Sequence, residues 1–193
     1  MRNASIERKT KETEIFVALN LDGGAVSIET GVGFFDHMLT AFAVHGGFGL
    51  TVKCSGDLQV DCHHTVEDTG IVLGKAFFEA LGDKSGIARY GTFFVPMDEA
   101  LGFACADISG RPFLVFDARF PQESSGNYDF CMTEEFFRAF AFHAGITLHI
   151  KAPYGSNSHH IAEAVFKAAA HALQIATRRT LEGTTLSTKG LLD

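Results

Sequence analysis

Two segments of the chain each place a pair of adjacent histidines ahead of a glutamate. In a helix, a histidine and a glutamate three or four residues apart lie side by side, so the imidazole and the carboxylate can share a metal ion. Two adjacent histidines instead point about 100° apart, so one metal ion rarely binds both, whereas two metal ions on opposite sides can. The residues concerned are His63, His64 and Glu67 in the first segment and His159, His160 and Glu163 in the second.

The two histidine segments belong to an internal repeat. Residues 34–47 (FFDHMLTAFAVHGG) align with residues 132–145 (MTEEFFRAFAFHAG), and a histidine segment follows each at nearly the same distance. This alignment sets His37 against Glu135, which raises the number of candidate ligands to four for each of two metal ions. A mixed set of imidazoles and carboxylates without cysteine suits Mn, Fe, Co, Ni or Zn. Chance similarity between phenylalanine-rich helices is the alternative, and the matched polar residues argue against it.

Other polar residues carry weaker signals. His45 and its repeat partner His143 lie eight residues beyond the first ligand of each half. Eight helical residues span about 12 Å, so these histidines fit a substrate-pocket, outer-shell or core role better than a role as ligands of the same metal ions. By spacing alone, Glu12 is an exposed strand residue.

Positive charge is sparse in this chain. Arg89 opens a predicted strand, Arg111 follows a predicted turn, and Lys189 lies in the segment Ser187-Thr188-Lys189-Gly190. Arginine forks, together with lysine and hydroxyl donors, hold phosphate well. Solvated surface charge is the simpler explanation of each cation taken alone.

Composition limits the class of protein. The chain has 193 residues, a formal net charge of −7 and 46% hydrophobic residues, which argues for a buried core and against a nucleic-acid or membrane-surface role. Four cysteines without a CxxC pair, and no long apolar segment, indicate a cytoplasmic protein without disulfides. Helices such as FFRAFAF are apolar almost all round, which indicates either a thick core or helices covered by neighbouring subunits of a homo-oligomer, and we expect a homo-oligomer.

Alternating and helical periodicities predict an α+β fold with two β-sheets and central helices. We expect a single catalytic domain over residues 1–193, made of two repeated halves over about 1–90 and 91–185. The predicted helices are Phe34–His45, His63–Leu81, Thr133–His143 and Asn157–Thr177. The predicted strands are Glu14–Asn20, Ala25–Glu29, 47–54, Arg89–Pro96, Ala100–Ile108, Pro112–Phe116 and Ile146–Lys151.

With these residues assembled, the chain resembles the imidazoleglycerol-phosphate dehydratase family of histidine biosynthesis along nearly its whole length. The resemblance rests on two HHxxE elements together with their flanking sequences. These segments are GVGFFDHML (31–39), HGGF (45–48), CHHTVEDTGIVLG (62–74), DISGRP (107–112), EEFFRAFAFHAGITLHI (134–150) and NSHHIAEAVFKA (157–168).

The resemblance implies a duplicated fold of the ribosomal-protein-S5-domain-2 type, two Mn²⁺ ions per active site and a homo-oligomer of twenty-four subunits with shared sites. By position, seven residues match the family's metal ligands, and Glu135 is expected to be an eighth although many relatives have histidine there. Glu12 matches the acid–base glutamate, and His45 matches a substrate-pocket histidine that we group with the catalytic residues. The matching metal ligands are His37, His63, His64, Glu67, His159, His160 and Glu163. The matching phosphate-binding positions are Arg89, Arg111, Ser187 and Lys189.

The chain departs from the family pattern at two further positions. Cys62 stands where relatives often have aspartate, and Ala41 stands where some have a substrate-contacting glutamine. The family's substrate contacts are therefore not carried over to these two residues.

The implied activity is that of a lyase, which dehydrates D-erythro-imidazole-glycerol phosphate to imidazole-acetol phosphate. Our hypothesis is that the metal ions bind the substrate as an imidazolate while Glu12 removes a proton from the side chain. Two other functions fit the same ligands: a dinuclear metal hydrolase, and a non-catalytic metal-storage or metal-assembled scaffold. The scaffold would need the metal ligands, but it would not need Glu12, Arg89, Arg111 and Lys189 gathered around one pocket.

Overall fold

The computed structural model describes residues 2–180, 185–188 and 190. Each half of the chain contributes two helices, and short strands precede and separate them. The helices are α1 (Gly33–Gly46), α2 (His63–Leu81), α3 (Met132–Ala144) and α4 (Ser158–Thr177). The strands are β1 (Asn3–Lys9), β2 (Thr13–Asn20), β3 (Val26–Glu29), β4 (Gly49–Gly56), β5 (Tyr90–Met97), β6 (Ala100–Asp107), β7 (Phe113–Asp117), β8 (Ser124–Ser125), β9 (Tyr128–Asp129) and β10 (Thr147–Tyr154).

The two large sheets have the same topology. The first sheet has the order β1-β2-β4-β3 and the second has the order β5-β6-β10-β7. In each sheet the first three strands pair antiparallel, and the last strand pairs parallel to the third. This identity confirms the predicted α+β duplication, since two unrelated halves would not share strand order and direction.

The four helices lie between the two sheets. Helix α2 packs on β1 and β2, whereas α4 packs on β5 and β6. Helices of the two halves also pack against each other: α1 packs against α4, and α3 packs against α2. Glycines permit a close approach at the second of these contacts: a Cβ on Gly70 would lie 2.7 Å from the carbonyl oxygen of Phe136, and one on Gly74 would lie 2.6 Å from that of Phe140.

The predicted elements agree with the observed ones, except that β1 and the two-residue strands β8 and β9 were not predicted. Strand β1 escaped prediction because its only apolar residues are Ala4 and Ile6, among polar neighbours. It pairs along its whole length with β2, whose buried face carries Ile15, Val17 and Leu19. Strand β1 is therefore an edge strand because it pairs with β2, although its own sequence contains few apolar residues.

The two histidine segments occupy equivalent helix starts. The backbone N–H of His63 donates to Asp61 Oδ1 at 2.7 Å, and that of His159 donates to Asn157 Oδ1 at 2.9 Å. These hydrogen bonds satisfy N–H groups that have no partner within the helix and fix where α2 and α4 begin. The fold thus presents both histidine pairs on the first turn of a long, buried helix.

Candidate metal and anion sites

Helices α1 and α4 bring together three of the predicted ligands. His37 comes from α1, while His159 and Glu163 lie one turn apart on α4, and one ligand atom of each falls within 4.8 Å of the others. Glu163 Oε2 lies 3.4 Å from His159 Nε2 and 3.7 Å from His37 Nε2. We call these three residues the α1–α4 cluster. Two imidazoles and a carboxylate converging on one point make a donor set that suits Mn²⁺ or Zn²⁺.

Lys167 holds the second oxygen of the same carboxylate. Its Nζ lies 2.6 Å from Glu163 Oε1, and both side chains are nearly buried. Burial alone would raise the pKa of Glu163, but the hydrogen bond and charge of Lys167, followed by the two imidazoles, lower it below its ordinary value. Glu163 is therefore ionised, with Oε2 left facing the histidines. The spacing of Lys167, one helical turn after Glu163, was a signal that the sequence analysis missed.

The equivalent group on α2 and α3 is looser. His63 Nε2 lies 3.3 Å from Glu67 Oε2, and both side chains are nearly half exposed. Glu135, the repeat partner of His37, has its Oε2 3.4 Å from Nε of Arg138 instead. Among the described residues, a group of three ligand atoms forms only in the α1–α4 cluster. Within one chain, two candidate ligands are paired here, and Glu135 lies beside an arginine.

The second histidine of each pair turns to another carboxylate. His64 Nδ1 lies 3.0 Å from Asp57 Oδ2, and its Nε2 lies 3.9 Å from Glu12 Oε2. The hydrogen bond to Asp57 raises the pKa of His64, and burial opposes this only in part. Glu12 itself lies in the exposed turn between β1 and β2.

His160 has the same arrangement in the other half of the chain. Its Nδ1 lies 2.7 Å from Glu99 Oε2, and its Nε2 lies 3.8 Å from Asp98 Oδ2. The hydrogen bond between His160 and Glu99 raises the pKa of His160. The same hydrogen bond, together with two backbone N–H donors, lowers the pKa of Glu99 to about 2. Each carboxylate contacts Nδ1 and so orients the imidazole ring, which leaves Nε2 available to a metal ion. Histidines that bind metal ions commonly have a carboxylate at their other ring nitrogen. The sequence analysis missed these carboxylates because they come from distant turns.

His45 lies in the last turn of α1 and contacts α4. Its Nδ1 is 3.3 Å from Nε2 of His171, whose ring stacks on Phe93. Burial lowers the pKa of His45, and the positive charge of Lys167 lowers it further. His45 is therefore within electrostatic reach of Lys167, which also contacts Glu163 of the α1–α4 cluster.

Two of the predicted phosphate-binding residues meet at one acidic side chain. Arg89 Nε donates to Asp107 Oδ1 at 2.7 Å, and Arg111 Nη2 lies 3.6 Å from Asp107 Oδ2. Arg89 Nη1 also donates a hydrogen bond at 2.6 Å to the carbonyl oxygen of Leu186. This contact holds the segment that contains Ser187 close to the arginines. Asp107 holds the guanidinium of Arg89 in place and raises its pKa. Lys189 lies outside the described residues.

The arginines and the α1–α4 cluster lie at opposite ends of α4. The backbone N–H of Arg89 donates to the carbonyl of Ala176 in the last turn of α4, whereas His159 lies in the first turn. Seventeen helical residues separate these ends by about 25 Å. A single chain therefore does not bring the predicted phosphate-binding residues to the α1–α4 cluster.

Comparison with known proteins identifies the family. Residues 30–173 match the family model for imidazoleglycerol-phosphate dehydratase. The chain is 59% identical over 194 residues to the imidazoleglycerol-phosphate dehydratase of Acetivibrio thermocellus, covering 99% of each chain. It is 58% identical over 195 residues to that of Streptococcus thermophilus, covering 100% of each chain.

Solved structures agree with the sequence comparison. The imidazoleglycerol-phosphate dehydratase of Staphylococcus aureus superposes with a TM-score of 0.85 at 42% identity, covering 92% of this chain and 99% of its own. The structure of IGPD from Pyrococcus furiosus in complex with (S)-C348 superposes with a TM-score of 0.84 at 37% identity, covering 97% and 100%. Identity well above 30% along the whole chain, together with the same fold, shows that this chain belongs to the imidazoleglycerol-phosphate dehydratase family.

Proposed function

We propose that this chain is a hydro-lyase of histidine biosynthesis that converts D-erythro-imidazole-glycerol phosphate to imidazole-acetol phosphate. The observation that carries the proposal is the α1–α4 cluster, a convergent imidazole–carboxylate set in a chain of this family. The substrate offers an imidazole, two hydroxyl-bearing carbons and a phosphate. A site for it needs metal ligands, a proton acceptor and an anion-binding group.

The residues fit a pair of Mn²⁺ ions. The donor set contains imidazole and carboxylate groups and no thiolate, and the carboxylate of Glu163 is held in its charged form. When bound, the metal ions would supply Lewis acidity that favours the deprotonated form of the substrate imidazole. The ligands that we assign are His37, His63, His64, Glu67, Glu135, His159, His160 and Glu163.

Glu12 is assigned the proton transfers. The overall loss of water removes the hydroxyl group from the carbon attached to the ring and a proton from the next carbon. The resulting enol becomes a ketone by receiving a proton on the carbon next to the ring and releasing the proton of its own hydroxyl group, which balances the hydroxide lost as water. An exposed carboxylate 3.9 Å from His64 can take up the first proton and return the second. His64, oriented by Asp57, keeps this carboxylate beside the ligands.

Phosphate binding is assigned to Arg89, Arg111, Ser187 and Lys189. Since the arginines lie about 25 Å from the cluster of their own chain, we propose that they serve the site of another subunit. The proposed assembly is a homo-oligomer, of twenty-four subunits by family resemblance. Within one chain, His45 is assigned to the substrate pocket, and it lies eight residues, or about 12 Å, beyond His37 on α1.

We also propose a cytoplasmic location, and a small-molecule phosphate substrate rather than a nucleic-acid or membrane partner. The net charge of −7 disfavours nucleic acid. No helix in the described part of the chain combines the length and apolarity needed to cross a bilayer.

The test is an activity assay on the purified protein. We expect dehydration of imidazoleglycerol phosphate that depends on added Mn²⁺, and no comparable hydrolysis of phosphoesters under the same conditions. Hydrolysis without dehydration would favour the dinuclear hydrolase. Metal binding with neither reaction would favour the scaffold.

A further inference from the structure

The turn between β1 and β2 carries Glu12, and hydrogen bonds hold its backbone on both sides of that residue. The backbone N–H of Glu12 donates to Thr10 Oγ1 at 3.1 Å, and its carbonyl oxygen accepts from the N–H of Asp57 at 3.1 Å. In the described part of the chain, the carboxylate of Glu12 has a single ion-pair contact, with His64 Nε2 at 3.9 Å. That distance is too long for a hydrogen bond, so the backbone of the turn sets where this carboxylate lies.

A buried carboxylate on α2 holds the next residue of the turn. Thr13 Oγ1 donates to Asp68 Oδ2 at 2.5 Å, and Arg8 Nη1 donates to the same oxygen. Thr13 is 3% exposed and Asp68 is 7% exposed, so water competes little for these hydrogen bonds.

The two threonine hydroxyls of the turn extend this contact to Glu12. They lie 3.4 Å apart, and the hydroxyl of Thr13 gives its hydrogen to Asp68, so it can only accept from Thr10. The oxygen of Thr10 accepts from the N–H groups of Glu12 and Thr13, at 3.1 and 3.0 Å. One chain of hydrogen bonds therefore runs from Asp68 through both hydroxyls to the backbone of Glu12.

Asp68 lies on the same part of α2 as two of the proposed metal ligands. It directly follows Glu67, and it lies four residues after His64, the imidazole nearest to Glu12. Residues four apart lie on one side of a helix, one above the other. The helix thus holds the imidazole at one position and the turn at the next, so it fixes the spacing between Glu12 and His64.

The second half of the chain has the same strands and helix but lacks this network. Sheet register and the sequence repeat give apolar equivalents for all three polar residues. For Arg8, Thr13 and Asp68, in that order, the equivalents are Val95, Ala100 and Ala164. Both alanines are buried, and Val95 packs against the core. The fold therefore does not require a buried ion pair here, and such a pair contributes little to stability beyond an apolar replacement.

We propose that Asp68 is a positioning residue for the proton transfers assigned to Glu12. Through Thr13 and Arg8 it fixes the β1–β2 turn on α2. This attachment keeps the carboxylate of Glu12 beside His64. The inference rests on the proposed function, and Asp68 acts through the turn rather than at the reacting atoms. Misplacing a reacting group by about 1 Å can cost roughly 100-fold in rate, so loss of the network should reduce turnover although every ligand remains.

Valine and serine at position 13 isolate the hydroxyl group. Thr13→Val keeps the shape of the side chain without the hydroxyl, whereas Thr13→Ser keeps the hydroxyl. In the full chain with Mn²⁺, we expect Thr13→Val to lower kcat at least about tenfold, with KM and the Mn²⁺ Kd within about threefold of wild type. Thr13→Ser should keep kcat within about threefold. Val17→Ala, a buried change further along β2, controls for lost stability and should leave kcat unchanged.

A double-mutant cycle tests whether the effect passes through Glu12. If it does, Thr13→Val should change the residual turnover of Glu12→Gln by less than about twofold, against at least about tenfold in the wild-type background. A loss that is only structural would lower turnover by the same factor in both backgrounds.

Hydrogen exchange tests the turn without an assay of activity. In the metal-free protein, the peptide spanning residues 9–14 should exchange at least about threefold faster in Thr13→Val than in Thr13→Ser, as followed by mass spectrometry. The reason is that the N–H groups of Glu12 and Thr13 lose an acceptor that the network holds in place. Asp68→Asn removes the charge that pairs with Arg8, so it should change exchange and kcat in the same directions as Thr13→Val.

The outcomes separate this inference from the proposed function. A wild type without dehydratase activity, or a Glu12→Gln variant with wild-type kcat, would overturn the proposed role of Glu12 and this inference with it. Suppose instead that wild type is active and Glu12→Gln is impaired. A folded Thr13→Val variant that keeps wild-type kcat, exchanges no faster than Thr13→Ser, or loses the same factor in both backgrounds would then overturn the inference alone. If Thr13→Val does not fold, the same measurements on Asp68→Asn decide.

Discussion

Replacing Glu163 with glutamine tests the α1–α4 cluster most sharply. The amide has almost the same shape but carries no charge, so it can neither neutralise Lys167 nor bind a cation strongly. At 2.6 Å and an effective dielectric constant of about 20, the gross attraction between Glu163 and Lys167 is roughly 6 kcal/mol. Because the amide oxygen can still accept a hydrogen bond from Lys167, we expect a net loss of about 1–3 kcal/mol in the free energy of unfolding.

The effect on metal binding is larger and can be measured separately. Removing a partner of a metal ligand costs about 10–100-fold in affinity, so removing the charged ligand itself should cost at least about 100-fold. At a Mn²⁺ concentration 100 times the wild-type Kd, bound metal adds about 2.7 kcal/mol to wild-type stability and about 0.4 kcal/mol to the Glu163→Gln variant. Denaturant unfolding of the metal-free chain with and without Mn²⁺, at one fixed protein concentration, measures both values.

Lys167→Met is the matched control. It removes the neighbouring cation but keeps every proposed ligand, so its gain in stability from Mn²⁺ should equal or exceed that of wild type. A folded Glu163→Gln variant that gains as much from Mn²⁺ as wild type would refute the assignment of this carboxylate as a ligand.

Three further predictions follow from the geometry. Glu12→Gln should lower kcat at least about 100-fold while Mn²⁺ binding persists, and unchanged turnover would contradict its role in proton transfer. Glu99→Gln should lower the raised pKa of His160 in the metal-free protein, as followed by NMR, and an unchanged midpoint would contradict the assigned cause. The hydrogen bond that raises this pKa stabilises the fold at pH values below the ordinary histidine pKa of about 6.5. This stabilisation is lost as the pH rises through the pKa of His160 in the folded protein. Gly102→Ala should cost about 1–3 kcal/mol in denaturant unfolding, because its Cβ meets the backbone of Ala164, and a wild-type midpoint would contradict this packing.

Much of the fold could be predicted because its periodicities are strong. The repeat placed two equivalent helices after two equivalent strands, and the observed sheets share one topology. Strand β1 could not be predicted from periodicity, because its own residues show little apolar alternation. It forms a strand because it pairs with β2.

The candidate site was predictable where its residues are close in sequence. Spacing on one helix paired His159 with Glu163, and the repeat added His37 from another helix. The carboxylates that orient the outer histidines could not be inferred, because Asp57 and Glu99 reach them only through the tertiary fold. The separation of the arginines from the cluster likewise appears only once α4 is seen to lie between them.

The most direct test of the proposed function is dehydration of imidazoleglycerol phosphate by thoroughly metal-stripped protein, followed by titration with Mn²⁺. We predict no activity in the stripped protein, and full recovery as two Mn²⁺ ions bind per chain. Full activity without metal would contradict the proposed role of the histidine–glutamate ligands in the reaction.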